Sequence, residues 1–116
     1  MEEFFEQHCK MIRVYLATEI ILDPYEKNKS LVYLNPLPIK AIITDLISSQ
    51  IQWKLPGINT TDAKNLMVEK KYRSLLEDSR KIEIDGTEYE GWKDNGKLQI
   101  REVSNYLNLY VYRKND

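Results

Sequence analysis

The last third of the chain constrains the fold most, because short apolar-alternating runs are separated there by closely spaced turn signals. These signals are Asp85-Gly86, Asp94-Asn95-Gly96 and Ser104-Asn105, and Asn-Gly is one of the strongest short hairpin cues. Short runs rich in β-branched and aromatic residues between such signals are typical of strands. The pattern therefore predicts an antiparallel meander with strands at 81–85, 87–93, 97–103 and 106–113.

The first half of the chain also favours strands. Apolar residues recur with period two from Met11 to Asp23 and predict one long strand there. Shorter runs predict strands at 31–34 and 39–46, and the segment 51–55 predicts a further strand or an ordered arm. Pro56-Gly57 ends that segment, since this dipeptide marks a turn.

Two segments predict helices. The first is a short N-terminal helix that carries Phe4, Phe5 and Cys9 on one side. The second runs from about Thr61 to Ser79, where apolar residues stand at helical spacing, capping residues precede them and basic residues follow. The apolar residues of this stripe are Val68, Tyr72, Leu75 and Leu76.

These elements predict a β-rich α+β fold. We expect a small antiparallel β-barrel of about six strands, because barrel closure removes exposed strand edges. One long helix at about 61–79 would be inserted, preceded by the short N-terminal helix. With 116 residues, the chain predicts a single domain over 1–116, with a strand-helix excursion at about 47–80.

Composition narrows the possible functions. With 17 basic and 18 acidic residues the net charge is −1, so a general basic footprint for nucleic acid is absent. One cysteine and one histidine exclude an internal disulfide framework and a cysteine-rich zinc site. These two residues, His8 and Cys9, are adjacent and so point in different directions, which disfavours a thiol–imidazole pair. We expect no catalytic activity, no cofactor and no metal.

Targeting and membrane signals are also missing from the sequence. The acidic start lacks the basic region of a signal peptide, and no apolar run approaches the ~20 residues of a spanning helix. We therefore expect a cytosol-like site of synthesis and no membrane partner.

Four carboxylates gather around one predicted hairpin. They are Glu83, Asp85, Glu88 and Glu90. An enzyme or a divalent-cation site built on them is one interpretation. Alternation places Ile82, Ile84 and Tyr89 on the opposite side, so a solvated acidic strand face is the preferred interpretation.

Apolar and aromatic residues supply the candidate interface. In the last strand Leu107, Leu109 and Val111 share one face, while Tyr106, Tyr110 and Tyr112 share the other. The tyrosine face must lie against the central helix predicted at 61–79 or against another chain. The remaining candidates are Ile51, Trp53, Leu55, Ile58 and Trp92.

The segment 47–60 is apolar but irregular in sequence. We expect a neighbouring subunit to cover it, because a barrel of this size has little core to receive it. The alternative is that Trp53 and Leu55 fold back on the chain's own helix.

A small barrel that binds nucleic acid, or another non-catalytic binding module, is the alternative function. A basic stretch on the predicted helix supports it, together with tyrosines on the last strand, since such modules need a basic groove with interleaved aromatic rings. The basic residues are Lys70, Lys71, Arg73, Arg80 and Lys81. A solvated helix face explains the same charges.

The order of elements resembles the stopper, or head-closure, proteins of the head-to-tail connector of tailed phages, especially siphophages. The best-matching piece is Lys81-Ile-Glu-Ile-Asp-Gly-Thr-Glu-Tyr-Glu-Gly91, followed by the closing strand Tyr106-Leu-Asn-Leu-Tyr-Val-Tyr-Arg-Lys114. Such proteins also carry an excursion between two barrel strands, which residues 51–79 would form, and a strand near the start.

The resemblance implies a structural virion protein in the neck, assembled in the host cytoplasm. It implies a homo-oligomeric ring of about twelve or six copies between an adaptor or portal-side protein and a tail-side protein. The ring would help to retain packaged DNA without gripping it, and the acidic residues Glu83, Asp85, Glu88 and Glu90 would face the channel.

Overall fold

The computed structural model describes residues 2–23, 28–58 and 60–113. The α-helices within these residues are α1 Glu2–His8, α2 Ser48–Lys54 and α3 Arg73–Asp78, with a 3₁₀ turn at Lys70–Tyr72. The strands are β1 Lys10–Tyr15, β2 Ala17–Asp23, β3 Asn28–Tyr33, β4 Leu37–Asp45, β5 Ala63–Glu69, β6 Lys81–Ile84, β7 Thr87–Gly91, β8 Lys93–Asp94, β9 Lys97–Leu98, β10 Ile100–Val103 and β11 Tyr106–Tyr112. The fold is β-rich α+β with short helices.

Seven strands form one antiparallel sheet in the order β10-β11-β5-β4-β1-β6-β7. The sheet curls, so that β7 also pairs with β11 at Val111↔Gly91 and Tyr112↔Glu90. The expectation of a small barrel is therefore met only in part. The strands and their antiparallel pairing are present, but β7 meets β11 over only two residue pairs, and the end strand β10 takes no part in this closure.

The core lies on the concave side of this sheet, where alternate residues of each strand meet. Fully buried side chains come from five strands and from α3, which packs its Leu76 against them. The strand residues are Ile12, Val14, Ala41, Leu66, Val68, Ile82, Leu107, Leu109 and Val111. The predicted split of the last strand is confirmed for its aliphatic face, because period-two alternation sends Leu107, Leu109 and Val111 inward.

The prediction of a long helix at 61–79 is wrong. Residues Ala63–Glu69 form β5, and helical structure begins only at the 3₁₀ turn and α3. β5 is a central strand that pairs with β4 on one side and with β11 on the other. Pairing on both edges and burial of Leu66 and Val68 override the local helix propensity of the segment.

Two further boundaries differ from the sequence-based prediction. The segment 51–55 is not a strand, because Ser48–Lys54 forms α2. The excursion at 47–80 therefore has the order helix, strand, helix. The long strand predicted at 11–23 is divided at Leu16 into β1, which belongs to the large sheet, and β2, which does not.

Strands β2 and β3 form a separate two-stranded hairpin, which we call the arm. The molecule measures 54 × 29 × 26 Å, with a radius of gyration of 15.6 Å. A compact chain of this length has a radius of about 13 Å. The larger radius of gyration and the 54 Å long axis agree with an arm that projects from the body of the protein.

Candidate functional site

The predicted interface residues lie mostly in one cluster on the outer face of the sheet. α2 crosses this face and buries Ile51, while Leu55 follows directly and is 0% exposed. They pack with Leu46 and Ala63, and half-buried side chains surround the group: Ile58, Trp92, Tyr110 and Tyr112. The apolar excursion thus finds much of its cover within its own chain. Leu55 packs on strand residues, however, and not on the helix that the alternative interpretation named.

Trp53 does not join this cluster. Its side chain is 85% exposed, because it stands two residues from both Ile51 and Leu55 and so lies on the opposite side of α2. Ile47, at the start of the same helix, is also exposed. A large aromatic side chain in water is typical of surfaces that bind a partner.

Local hydrogen bonds explain why the segment forms a helix. The backbone N–H of Ile47 donates to Gln50 Oε1 at 3.0 Å, which satisfies one free donor of the first turn. The N–H of Leu55 closes the last turn on the carbonyl of Ile51. Lys54 Nζ lies 5.5 Å from the centre of the Tyr110 ring, which links α2 to β11.

Tyr106 lies apart from the other predicted interface tyrosines. Its ring is buried and stacks on Phe5 of α1 with 5.0 Å between ring centres. The outer face of β11 is therefore covered by α1 at one end and by α2 at the other. The sequence left open whether the central helix or another chain would cover the tyrosine face. That helix does not form over 63–69, and α1 and α2 cover part of the face instead.

The carboxylates of the β6–β7 hairpin lie outside the core, as predicted from alternation. Glu83 and Glu88 face each other across the two strands. Arg13 lies 3.5 Å from Glu83, and Lys81 lies 2.8 Å from Glu88. Each acidic side chain therefore has a basic neighbour, which lowers the repulsion between two like charges at opposite positions.

The two outer residues of this group have different surroundings. Asp85 is in the exposed turn with φ of 50°, and Glu90 is half-buried with its carboxylate 3.4 Å from the Tyr112 hydroxyl. No group of three or more potential metal ligands occurs within the described residues.

Hydrogen bonds around this hairpin shift two pKa values. The hydrogen bond to the Glu83 carboxylate raises the pKa of Tyr15, whose hydroxyl donates at 2.9 Å. The hydrogen bond to Glu88 raises the pKa of Lys81. Both shifts favour the protonated donors, so these contacts persist through the neutral pH range.

A polar group at one end of the core was missed by the sequence reasoning. The buried Tyr89 hydroxyl donates to Asp62 Oδ2 at 2.7 Å, and Lys64 contacts both Asp45 and Asp62. Burial raises the pKa of Tyr89 to about 12, and the hydrogen bond to Asp62 adds to this effect. The available signal was Tyr89 itself, because an inward tyrosine needs a partner for its hydroxyl.

The thiol and the imidazole do not form a reactive pair in this structure. His8 is exposed and its ring contacts Phe4 at 4.5 Å between centres. The Cys9 thiol donates weakly to the carbonyl of Glu6 at 3.6 Å. None of the helices in the described part of the chain is long and apolar enough to cross a membrane.

An open groove of about 370 Å³ crosses the outer face of the sheet beside α2. Its lining is rich in amides, including Asn65 and Asn108, and Tyr110 lies at one side. Lys54 and Arg101 also line it, and neither forms an ion pair within the described residues. Asp45, which pairs with Lys64, lines the groove too. The groove thus presents hydrogen-bonding groups, two positive charges and one carboxylate to solvent.

Comparison with known proteins adds no assignment. No protein-family model matches the chain, and no curated protein resembles it significantly.

Proposed function

We propose that this chain is a non-catalytic structural subunit of the head-to-tail connector of a tailed phage, in the stopper or head-closure ring. In this proposal its copies form a homo-oligomeric ring between an adaptor or portal-side protein and a tail-side protein. The ring helps to retain packaged DNA. The proposal treats the curled sheet as a six-stranded barrel of β11, β5, β4, β1, β6 and β7, closed by the β7–β11 pairing.

The observation that carries the proposal is the arm. It forms its own two-stranded sheet rather than adding to the body, and a two-stranded hairpin has little stability by itself in water. An extended hairpin on a compact body suits a subunit that spreads its contacts over several neighbours. The order of elements in the sequence supports the same role.

Two surfaces of the body take defined places in this proposal. The exposed Trp53 contacts the neighbouring subunit, where a buried tryptophan contributes strongly to binding. The outer face of the β6–β7 hairpin lies toward the channel. Arg13 and Lys81 on this face form ion pairs with its carboxylates. These two basic side chains are therefore not free to bind the phosphates of the DNA backbone.

The test compares Trp53→Ala with Leu55→Ala, from the two sides of the same helix. Trp53→Ala should change the free energy of unfolding by less than about 0.5 kcal/mol, because the side chain is exposed. It should nevertheless weaken oligomer formation, measured by light scattering over a concentration series. Leu55→Ala should cost about 2–5 kcal/mol of stability, because its side chain is fully buried.

Gln52→Ala is the matched control, because Gln52 is also exposed on α2. It should change neither stability nor assembly. The proposed interface is wrong if Trp53→Ala lowers the melting temperature as far as Leu55→Ala does, or if assembly is unaffected. The genes beside this one test the connector role separately, since it requires portal, capsid and tail genes as neighbours.

The groove on the outer face favours a second candidate, a small module that binds single-stranded nucleic acid. Lys54 and Arg101 supply positive charge, and Asn65 and Asn108 supply hydrogen bonds to bases. If the protein has this function, its affinity for a labelled oligonucleotide should fall as the salt concentration rises. The double variant Lys54→Ala/Arg101→Ala should show a weaker dependence on salt. Absence of binding at low salt would exclude it.

A further inference from the structure

The joint between the arm and the body interrupts the strand ladder. The last pair between β1 and β4 is Val14↔Leu37, and the first pair of the arm is Ala17↔Tyr33. Two residues separate these pairs on one strand and three on the other, including Pro36, which has no N–H to donate. Unequal spacing of this kind bends a hairpin. Within this gap one backbone hydrogen bond remains, from the Leu34 N–H to the Leu16 carbonyl at 2.9 Å. The joint is therefore a bent stretch held by a single backbone hydrogen bond and not a continuation of the sheet.

A cluster of side chains spans this joint. Lys81 Nζ lies 4.7 Å from the ring centre of Tyr15 on β1 and 4.2 Å from that of Tyr33 on the arm. The two rings meet edge to face with 6.2 Å between centres. Glu88 on β7 holds the same ammonium at 2.8 Å. One cation thus contacts the body on two strands and the arm through Tyr33.

We propose that Lys81 is a latch that fixes the direction of the arm by holding Tyr33 against Tyr15 and Glu88. The side chain suits this role, because it is only 20% exposed and its ammonium contacts two aromatic rings and a carboxylate together. Cation–π contacts strengthen when the cation is partly removed from water. Tyr15 itself is held in the body by its pairing with Lys81 on β6. Without the latch, the arm pivots about the hydrogen-bonded joint at Leu16 and residues 34–36.

The latch rests on the fold and not on the proposed connector role. The proposal predicts that replacing Lys81, a residue of the body, widens the range of directions that the arm takes relative to the body. Tyr33 is 45% exposed, so its replacement leaves the core intact. The body should therefore stay folded when the latch is opened.

The experiment measures a distance between the arm and the body by pulsed electron spin resonance. Spin labels are attached to Glu19→Cys in β2 and Lys97→Cys in β9, in a Cys9→Ser background. The labelled parent protein should give one narrow distance distribution. Lys81→Met and Tyr33→Leu should each broaden it by at least about twofold, because each removes the cation–π contact.

The controls separate the latch from general loosening. Tyr33→Phe keeps the aromatic ring and should keep the narrow distribution. Lys70→Met removes an exposed lysine of the body and should also have no effect. The latch is refuted if Lys81→Met and Tyr33→Leu leave the width unchanged, or if the parent protein is already as broad as these variants. Circular dichroism of each variant verifies that the sheet is retained.

Discussion

Tyr89→Phe should destabilise the protein at pH 8 and should lose much of that effect at pH 11. The hydroxyl of Tyr89 donates to Asp62 Oδ2 at 2.7 Å from a buried ring. A hydrogen bond to a charged group contributes about 1.5–3 kcal/mol. Removal of the hydroxyl should therefore lower the free energy of unfolding by about this amount at pH 8.

The pH dependence follows from the raised pKa of Tyr89, which is about 12 in the folded protein against a usual value of 10.0. The folded state holds the phenol proton more tightly, so the stabilisation is complete below pH 10 and is lost as pH rises toward 12. At pH 11, ionisation of the unfolded chain at this one group costs the parent protein about 1.4 kcal/mol of stability. The phenylalanine variant has no such group.

The difference in stability between the two proteins should thus shrink by about 1.4 kcal/mol from pH 8 to pH 11. Urea unfolding followed by circular dichroism at both pH values measures it. Titration of the lysines occurs in both proteins and largely cancels from the comparison. An equal difference at pH 8 and pH 11 would refute the account of Tyr89 as a buried donor to Asp62.

Three further changes test the packing described above by urea unfolding. Leu66→Ala should cost about 3–5 kcal/mol, because its side chain is fully buried in a central strand; a cost below about 1 kcal/mol would contradict that position. Gly91→Ala should cost about 1 kcal/mol, because the new methyl group meets Leu98 Cδ1, and this cost should vanish in a Leu98→Ala background. Arg73→Ala removes exposed ion pairs to Glu77 and Glu102, so it should cost less than about 1 kcal/mol and less again in 1 M salt.

The meander was predictable because its information is local. The alternating apolar residues and the turn at Asp85-Gly86 correctly placed strands at Lys81–Ile84 and Thr87–Gly91. Positive φ angles at Gly86 and Gly96 match the predicted turns. The inward position of Tyr89 also followed from alternation. These features depend on neighbours in sequence, which a single chain displays directly.

The errors have a common cause in contacts between residues distant in sequence. Ala63–Glu69 contains good helix formers, but it is a strand because β4 and β11 pair with both its edges. Leu55 is buried by Ala63 and by residues of later strands, and its sequence neighbours gave no sign of that cover. β4 and β11 both lie outside the window of about 11–18 residues over which hydrophobic periodicity is assessed.

The position of β1 between β4 and β6 governs how the chain folds. β1 pairs with residues near position 40 and also with residues near position 82. One edge of β5 pairs only once β11, at 106–112, is available. Closing such large loops costs entropy before any pairing contact forms, so folding rates fall as sequence separation grows. We therefore expect folding in milliseconds to seconds rather than microseconds. A growing chain on the ribosome should gain a stable body only after Tyr112 has emerged, and shorter nascent chains should stay sensitive to protease.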